Sequence, residues 1–87
     1  MVDLRLASGD RWSFPYSMLL WVQWSRLEGF VMRYSTHTVV VRGRNLEAIY
    51  DGLIEHRLEY LQAELPQHDL GDEKQAFVSA IEVKSEE

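Results

Sequence analysis

The segment TVVVRGRNLEAIYDGLIEHRLEYLQAEL, residues 38–65, decides the fold because a strand signal is followed at once by a helix signal. Val39 to Val41 are β-branched and restricted in χ1, which suits a pleated and mostly buried strand. Gly43 is predicted to break that strand. Asn45 is a favoured N-cap residue, because its side-chain oxygen can accept a hydrogen bond from the first helical turn. The segment therefore predicts a strand that leads directly into a helix.

The predicted helix begins at about Leu46 and is long and one-sided. Pro66 cannot continue it, and the residue before a proline disfavours helical geometry, so we expect the helix to end near Glu64 or Leu65. At 3.6 residues per turn its apolar residues share one broad face. These residues are Leu46, Ile49, Tyr50, Leu53, Ile54, Leu58, Leu61 and Leu65. Such a helix must bury its apolar face, and a sheet is the expected partner.

The remaining strand signals are alternating apolar and polar residues on both sides of this segment. They fall at residues 2–6, 11–16, 19–25, 30–35 and 75–83, with a turn at Ser35-Thr36-His37-Thr38 and a hairpin loop at Arg26-Leu27-Glu28-Gly29. The predicted fold class is α+β. It consists of an antiparallel meander of about five strands, open or closed into a partial barrel, with one long helix on one face. A C-terminal strand joins a sheet edge or a partner chain.

Length and composition indicate a single globular domain over residues 1–87, with a flexible tail at 84–87. The chain has no cysteine, which excludes disulfides and cysteine-based zinc sites. Its first residues lack the layout of a signal peptide, and no apolar run approaches the length of a membrane span. We therefore expect a cytoplasmic protein with no membrane association.

The net charge of −5 is unevenly distributed. Residues 1–44 carry six arginines against three acidic residues, whereas residues 45–87 carry three basic residues against eleven acidic ones. An acidic total argues against general nucleic-acid binding, which depends on neutralising phosphates. A mildly basic sheet backed by an acidic helix is the expected arrangement.

Successive side chains of a strand point to opposite faces of the sheet. This alternation, or strand parity, predicts which residues each face carries. The face toward the helix would carry Trp12, Phe14, Leu20, Val22, Trp24, Phe30, Met32, Tyr34, Val39 and Val41. The opposite face would carry Arg5, Arg11, Ser13, Leu19, Trp21, Gln23, Val31, Arg33, Val40 and Arg42. This second face has an apolar centre within a rim of arginines, and exposed apolar patches mark binding surfaces. The alternative is a sheet that curls into a partial barrel and buries these residues.

The candidate interface residues are therefore five members of the second face and one arginine of the predicted helix. They are Trp21, Val31, Arg33, Val40, Arg42 and Arg57. Tryptophan and arginine are enriched at interface hot spots. Arg57 interrupts the apolar face of the helix, so it either lays its methylenes along the sheet edge or reaches a carboxylate at a subunit interface.

The sequence contains no catalytic, cofactor or metal motif. The histidines, His37, His56 and His68, lack the spacing of paired metal ligands. The stretch Gly43-Arg44-Asn45-Leu46 is a weak hint of anion binding at a helix N-terminus. We expect no metal, no cofactor and no enzymatic activity.

Three functional hypotheses remain. The first is a small non-catalytic interaction or oligomerisation module, a homodimer or other small homo-oligomer or a binder of another protein, that uses the apolar, Arg-rimmed sheet face. The second is a single-stranded nucleic-acid-binding domain in which Trp21 or Tyr34 stacks bases and Arg11, Arg33 and Arg42 hold phosphates. The third is a small-ligand binder or enzyme with a pocket near His37 or His56.

Overall fold

The computed structural model describes residues 1–25, 29–64 and 76–85. In chain order its elements are β1 (Val2–Arg5), β2 (Arg11–Phe14), a 3-10 helix (Tyr16–Met18), β3 (Leu19–Ser25), β4 (Gly29–Tyr34), β5 (His37–Arg44), α1 (Glu47–Ile54), β6 (Tyr60–Gln62) and β7 (Phe77–Ser85). Residues 26–28 of the predicted hairpin loop, residues 65–75, which include His68, and residues 86–87 lie outside the described part of the chain, whereas Gly29 begins β4.

The strands form two sheets. The four-stranded sheet is antiparallel in the order β3-β4-β5-β7, and the three-stranded sheet has the order β2-β1-β6. In the three-stranded sheet β1 is antiparallel to β2 and parallel to β6. Over the described residues, the predicted α+β class, with mostly antiparallel strands, one helix and a C-terminal strand at a sheet edge, is confirmed.

The meander divides between the two sheets at Pro15. This residue has no N–H to donate to a sheet, and the main chain turns there into the 3-10 helix, where the Met18 N–H donates to the Pro15 carbonyl at 3.1 Å. The chain resumes as β3 in the other sheet. The predicted first hairpin, β1 with β2, is therefore separate from the β3-β4-β5 meander.

One face of the four-stranded sheet is covered by α1 together with the three-stranded sheet. Phe14 of β2 stacks on Tyr34 of β4 with ring centroids 4.3 Å apart, and Tyr50 of α1 packs edge-on against Trp24 at 5.3 Å. The buried core draws on both sheets and the helix. It comprises Val2, Leu4, Phe14, Phe30, Met32, Tyr34, Val39, Val41, Leu46, Leu53, Leu61, Ala63, Val78 and Ile81.

The predicted helix end is wrong, because α1 stops at Ile54. His56 adopts a left-handed φ of 57°, which histidine tolerates better than most side chains. The His56 N–H donates to the Leu53 carbonyl at 3.1 Å and the Arg57 N–H to the Gly52 carbonyl at 2.8 Å, a Schellman-type ending. The chain then extends into β6, which pairs with β1.

The predicted helix start at about Leu46 is close to the observed start at Glu47, but the predicted strand break at Gly43 and N-cap at Asn45 are wrong. β5 runs through Gly43 to Arg44, with a register shift between Arg42 and Gly43. A Cβ on Gly43 would lie 2.0 Å from the Phe77 carbonyl oxygen, so glycine permits this close strand contact rather than ending the strand. Asn45 takes a left-handed φ of 54° and Leu46 holds the N-cap position without a side-chain cap.

β7 pairs with β5 from Phe77 to Ser85, so Lys84 and Ser85 of the predicted tail are opposite Thr38 and His37. The other two tail residues lie outside the described part of the chain.

Candidate interaction surface

The outer face of the four-stranded sheet is the side turned away from α1 and the three-stranded sheet. The cross-strand registers place on it Trp21, Gln23, Val31, Arg33, Thr38, Val40, Arg42, Ala80, Glu82 and Lys84. The structure thus brings together five of the six predicted interface residues. Trp21 is 49% exposed, so this face lies open to solvent and is not enclosed in a barrel.

Ion pairs and hydrogen bonds hold the charged side chains around the apolar centre of this face. Arg42 Nη1 lies 2.8 Å from Glu82 Oε1, and Lys84 Nζ lies 3.8 Å from Glu82 Oε2. Arg33 Nη1 donates to Thr38 Oγ1 at 2.9 Å. Between them, Val31 and Val40 are opposite each other on neighbouring strands and half-buried. Among the described residues, the rim therefore contains three basic side chains and one acidic side chain.

The edge strand β3 carries the largest exposed apolar side chains of the four-stranded sheet. Leu20 is 61% exposed, Trp21 49% and Trp24 39%. Of the described strands, only β4 pairs with β3. The Tyr50 hydroxyl donates to the Val22 carbonyl at a long 3.4 Å, so α1 touches this strand from the core side.

A bulge in β3 exchanges the predicted sides of two leucines. The register shifts between Leu19 and Trp21, which leaves Leu20 as the extra residue. Leu19 consequently packs against the core, and Leu20 faces solvent. Sequence reasoning missed Leu20 and Trp24 as surface residues. The absence of any charged residue from Leu19 to Ser25 was the available signal.

Arg57 does not belong to the outer face. It follows the end of α1, its side chain is 69% exposed, and its guanidinium pairs with Glu55. The prediction that placed it within an apolar helix face depended on a helix that continues past Ile54, which the structure contradicts.

Of the residues proposed for nucleic-acid binding, Trp21, Arg33 and Arg42 lie together on the outer face, whereas Tyr34 and Arg11 do not. Tyr34 is fully buried and cannot stack on a base, and burial raises its pKa to about 12. Arg11 lies on the outward side of the three-stranded sheet, where it pairs with Asp3. Arg5 and Ser13 share that location, so these three residues do not lie beside Trp21 as strand parity predicted.

Two of the histidines are used in aromatic packing. His37 lies 5.0 Å from the Trp12 ring and 5.5 Å from the Phe14 ring, with Nδ1 at 2.7 Å from Thr36 Oγ1. His56 stacks on Tyr16 at 4.5 Å. The Tyr16 hydroxyl donates to the Leu58 carbonyl at 2.7 Å, while burial raises its pKa. These contacts connect the 3-10 helix to the segment after α1.

Two of the cavities on the described surface have no histidine in their lining. One, of about 360 Å³, is lined by Ile49, Leu58, Tyr60, Leu61, Gln62, Glu64, Ala76 and Val78. The other, of about 250 Å³, is lined by Trp24, Ser25, Gly29, Gly43, Arg44, Asn45 and Leu46. Arg44 in the second cavity packs over the Phe77 ring at 5.2 Å, so the predicted anion-binding stretch also has a packing role.

Within residues 1–25, 29–64 and 76–85, no three His, Cys, Asp or Glu side chains are grouped as metal ligands. No helix in these ranges is long and apolar enough to cross a membrane. No family model, curated protein or solved structure matches the chain.

Proposed function

We propose that this protein is a small non-catalytic interaction module that associates with a second copy of itself through β3 and the adjoining outer face of the four-stranded sheet. The carrying observation is the exposure of Leu20, Trp21 and Trp24 on one uncharged edge strand. Contiguous exposed apolar surface marks interaction sites, and its burial is favourable by about 25 cal/mol per Å².

The distribution of charge supports a second copy of this chain as the partner that binds β3. The chain carries −5 overall, so two copies repel each other at most relative orientations. The stretch from Leu19 to Ser25 has no charge and can meet its own copy without that repulsion. A strongly charged partner would find no complementary charge along this strand.

The histidine contacts support a non-catalytic role. His37 and His56 pack against aromatic rings, and neither faces one of the two cavities described above. These contacts give both residues a structural purpose.

Light scattering on the purified protein tests the proposal. We expect a dimer whose dissociation constant rises at least tenfold in Trp21→Glu, because the introduced carboxylate must be desolvated at the interface. Tyr60→Glu is the matched control, since Tyr60 is 52% exposed on the outward side of the other sheet. It should leave the mass unchanged.

Circular dichroism checks that both variants fold, and Leu20→Glu is a second probe of β3. A protein that stays monomeric across the concentration range, or whose mass ignores both β3 substitutions, would overturn the proposal.

A further inference from the structure

From the exposed edge of the four-stranded sheet we infer that β3 pairs antiparallel with β3 of the second copy, joining two four-stranded sheets into one eight-stranded sheet. This inference rests on the proposed self-association and specifies its geometry. Edge strands present a row of unpaired main-chain N–H and C=O groups, and a second strand satisfies them.

β3 lacks the devices that usually protect a sheet edge. From Leu19 to Ser25 there is no lysine, no other charge and no proline. The bulge at Leu20 affects only the beginning of the strand. From Trp21 to Ser25 the strand pairs without interruption with β4, from Arg33 opposite Trp21 to Gly29 opposite Ser25. This leaves five regularly extended residues along the edge.

Charge favours edge pairing over stacking of the two outer faces. Stacking would bury Arg33, Arg42 and Lys84 against the same three side chains of the second copy, whereas the described part of each face carries one acidic side chain, Glu82. Removing ion pairs from water is costly, and like charges would face each other. Edge pairing leaves all four charged groups in solvent. It brings together only uncharged residues.

The register follows from the length of the regular segment. Gln23 is the middle residue of Trp21 to Ser25, so a twofold axis through it pairs Gln23 with Gln23 of the second copy. Val22 then lies opposite Trp24, and Trp21 opposite Ser25. Each copy contributes the same surface, as a closed twofold dimer requires. The apolar Val22–Trp24 pair occurs twice across the axis and covers part of the exposed tryptophan.

Single-cysteine variants of the full chain test this geometry, because the protein has no cysteine of its own. Residues directly opposite in an antiparallel pair have Cα atoms about 4.5–5.5 Å apart, which is within the range that a disulfide spans. We expect Gln23→Cys to form a disulfide-linked dimer under mild oxidation at least tenfold faster than Ser17→Cys. Ser17 is exposed in the 3-10 helix and reports random collisions.

Val40→Cys reports the competing geometry, because Val40 is at the apolar centre of the outer face. If Val40→Cys cross-links faster than Gln23→Cys while light scattering shows a dimer, the outer faces stack. In that case edge pairing is wrong, but self-association stands. A dimer in which neither cysteine exceeds the Ser17→Cys rate also overturns edge pairing. A monomer by light scattering, with no cross-linking above the collision rate, overturns both proposals.

Discussion

The outward surfaces of the two sheets differ in whether their exposed side chains have interaction partners on the same surface. On the three-stranded sheet, Asp3 accepts hydrogen bonds from Arg5 at 3.1 Å and from Arg11, and Ser13 Oγ lies 3.5 Å away. The Arg5 guanidinium also packs over the Tyr60 ring at 4.4 Å from its centroid. The charged groups of this surface therefore bind one another.

On the four-stranded sheet the ion pairs lie around an apolar centre, and Trp21 of the edge strand β3 is exposed beside them. Both surfaces contain arginine, so arginine content does not distinguish them. The distinguishing feature is the uncharged edge strand. The comparison teaches that exposed apolar side chains on an uncharged strand locate a candidate interface better than the number of arginines on a surface does.

The largest expected effect is a difference in stability between lysine substitutions on the two sides of β5. Val39 is fully buried, whereas Val40, the next residue, lies on the outer face opposite Glu82. Val39→Lys should lower the free energy of unfolding by about 4 kcal/mol or more, because it buries an unpaired charge. Val40→Lys should change it by less than about 1 kcal/mol, since the ammonium can reach solvent and Glu82.

Urea titrations of the two lysine variants, at a protein concentration below the dissociation constant of the dimer, provide the measurement. Equal losses in both would mean that Val40 is part of the folding core. The outer face would then be closed in each isolated chain, and the contrast between the two surfaces would disappear.

A smaller effect concerns Tyr34, which joins the two sheets through its stack on Phe14. Burial raises the pKa of this phenol from 10.0 to about 12. The folded chain therefore holds the proton more tightly than the unfolded chain. The associated stability is fully present below pH 10 and is lost as the pH rises through about 12.

Tyr34→Phe removes this alkaline loss. At a pH near 12 the wild type should have lost about 2 kcal/mol more than the variant, relative to neutral pH. Denaturant titrations across the alkaline range measure the difference. Tyr60→Phe, at a half-exposed position, controls for removal of a hydroxyl. If both variants follow the wild-type curve, burial between the two sheets does not raise the pKa of Tyr34.

Strand parity was sufficient to predict the inner and outer positions of β4 and β5. Phe30, Met32, Tyr34, Val39 and Val41 are all buried as expected, because alternation has an exact period of two in a regular strand. The same rule failed at Leu19 and Leu20, where a bulge shifts the alternation. A bulge depends on pairing with another strand, so alternation within β3 did not reveal it.

The helix length could not be predicted from periodicity. Leu58 and Leu61 have a helical spacing, but Leu61 and Ala63 also have the spacing of one strand face, and both are buried. The choice depends on distant main-chain groups. The Asp3 N–H donates to the Glu59 carbonyl at 2.9 Å, and the Ala63 N–H donates to the Arg5 carbonyl at 2.9 Å. These contacts favour an extended chain in this segment.

The smallest expected effect tests the polar surface of the three-stranded sheet. The hydrogen bond from Arg11, with a further one from Arg5, holds the pKa of Asp3 below its ordinary value of 3.8. The folded chain therefore keeps this carboxylate ionised at a pH where the unfolded chain protonates it. Its stabilisation is present above the unfolded pKa and is lost as the pH falls through the folded value.

Asp3→Asn should consequently reduce the loss of folding stability as the pH falls into the acid range. It should have little effect on self-association, because Asp3 lies on the other sheet. Asp10→Asn, in the exposed turn between β1 and β2, is the matched control. Unfolding followed by tryptophan fluorescence from neutral pH into the acid range gives the comparison. An unchanged loss of stability at acid pH in Asp3→Asn would show that its arginine contacts do not stabilise the fold. The two surfaces would then differ in their exposed apolar residues alone, with no energetic contribution from the carboxylate network.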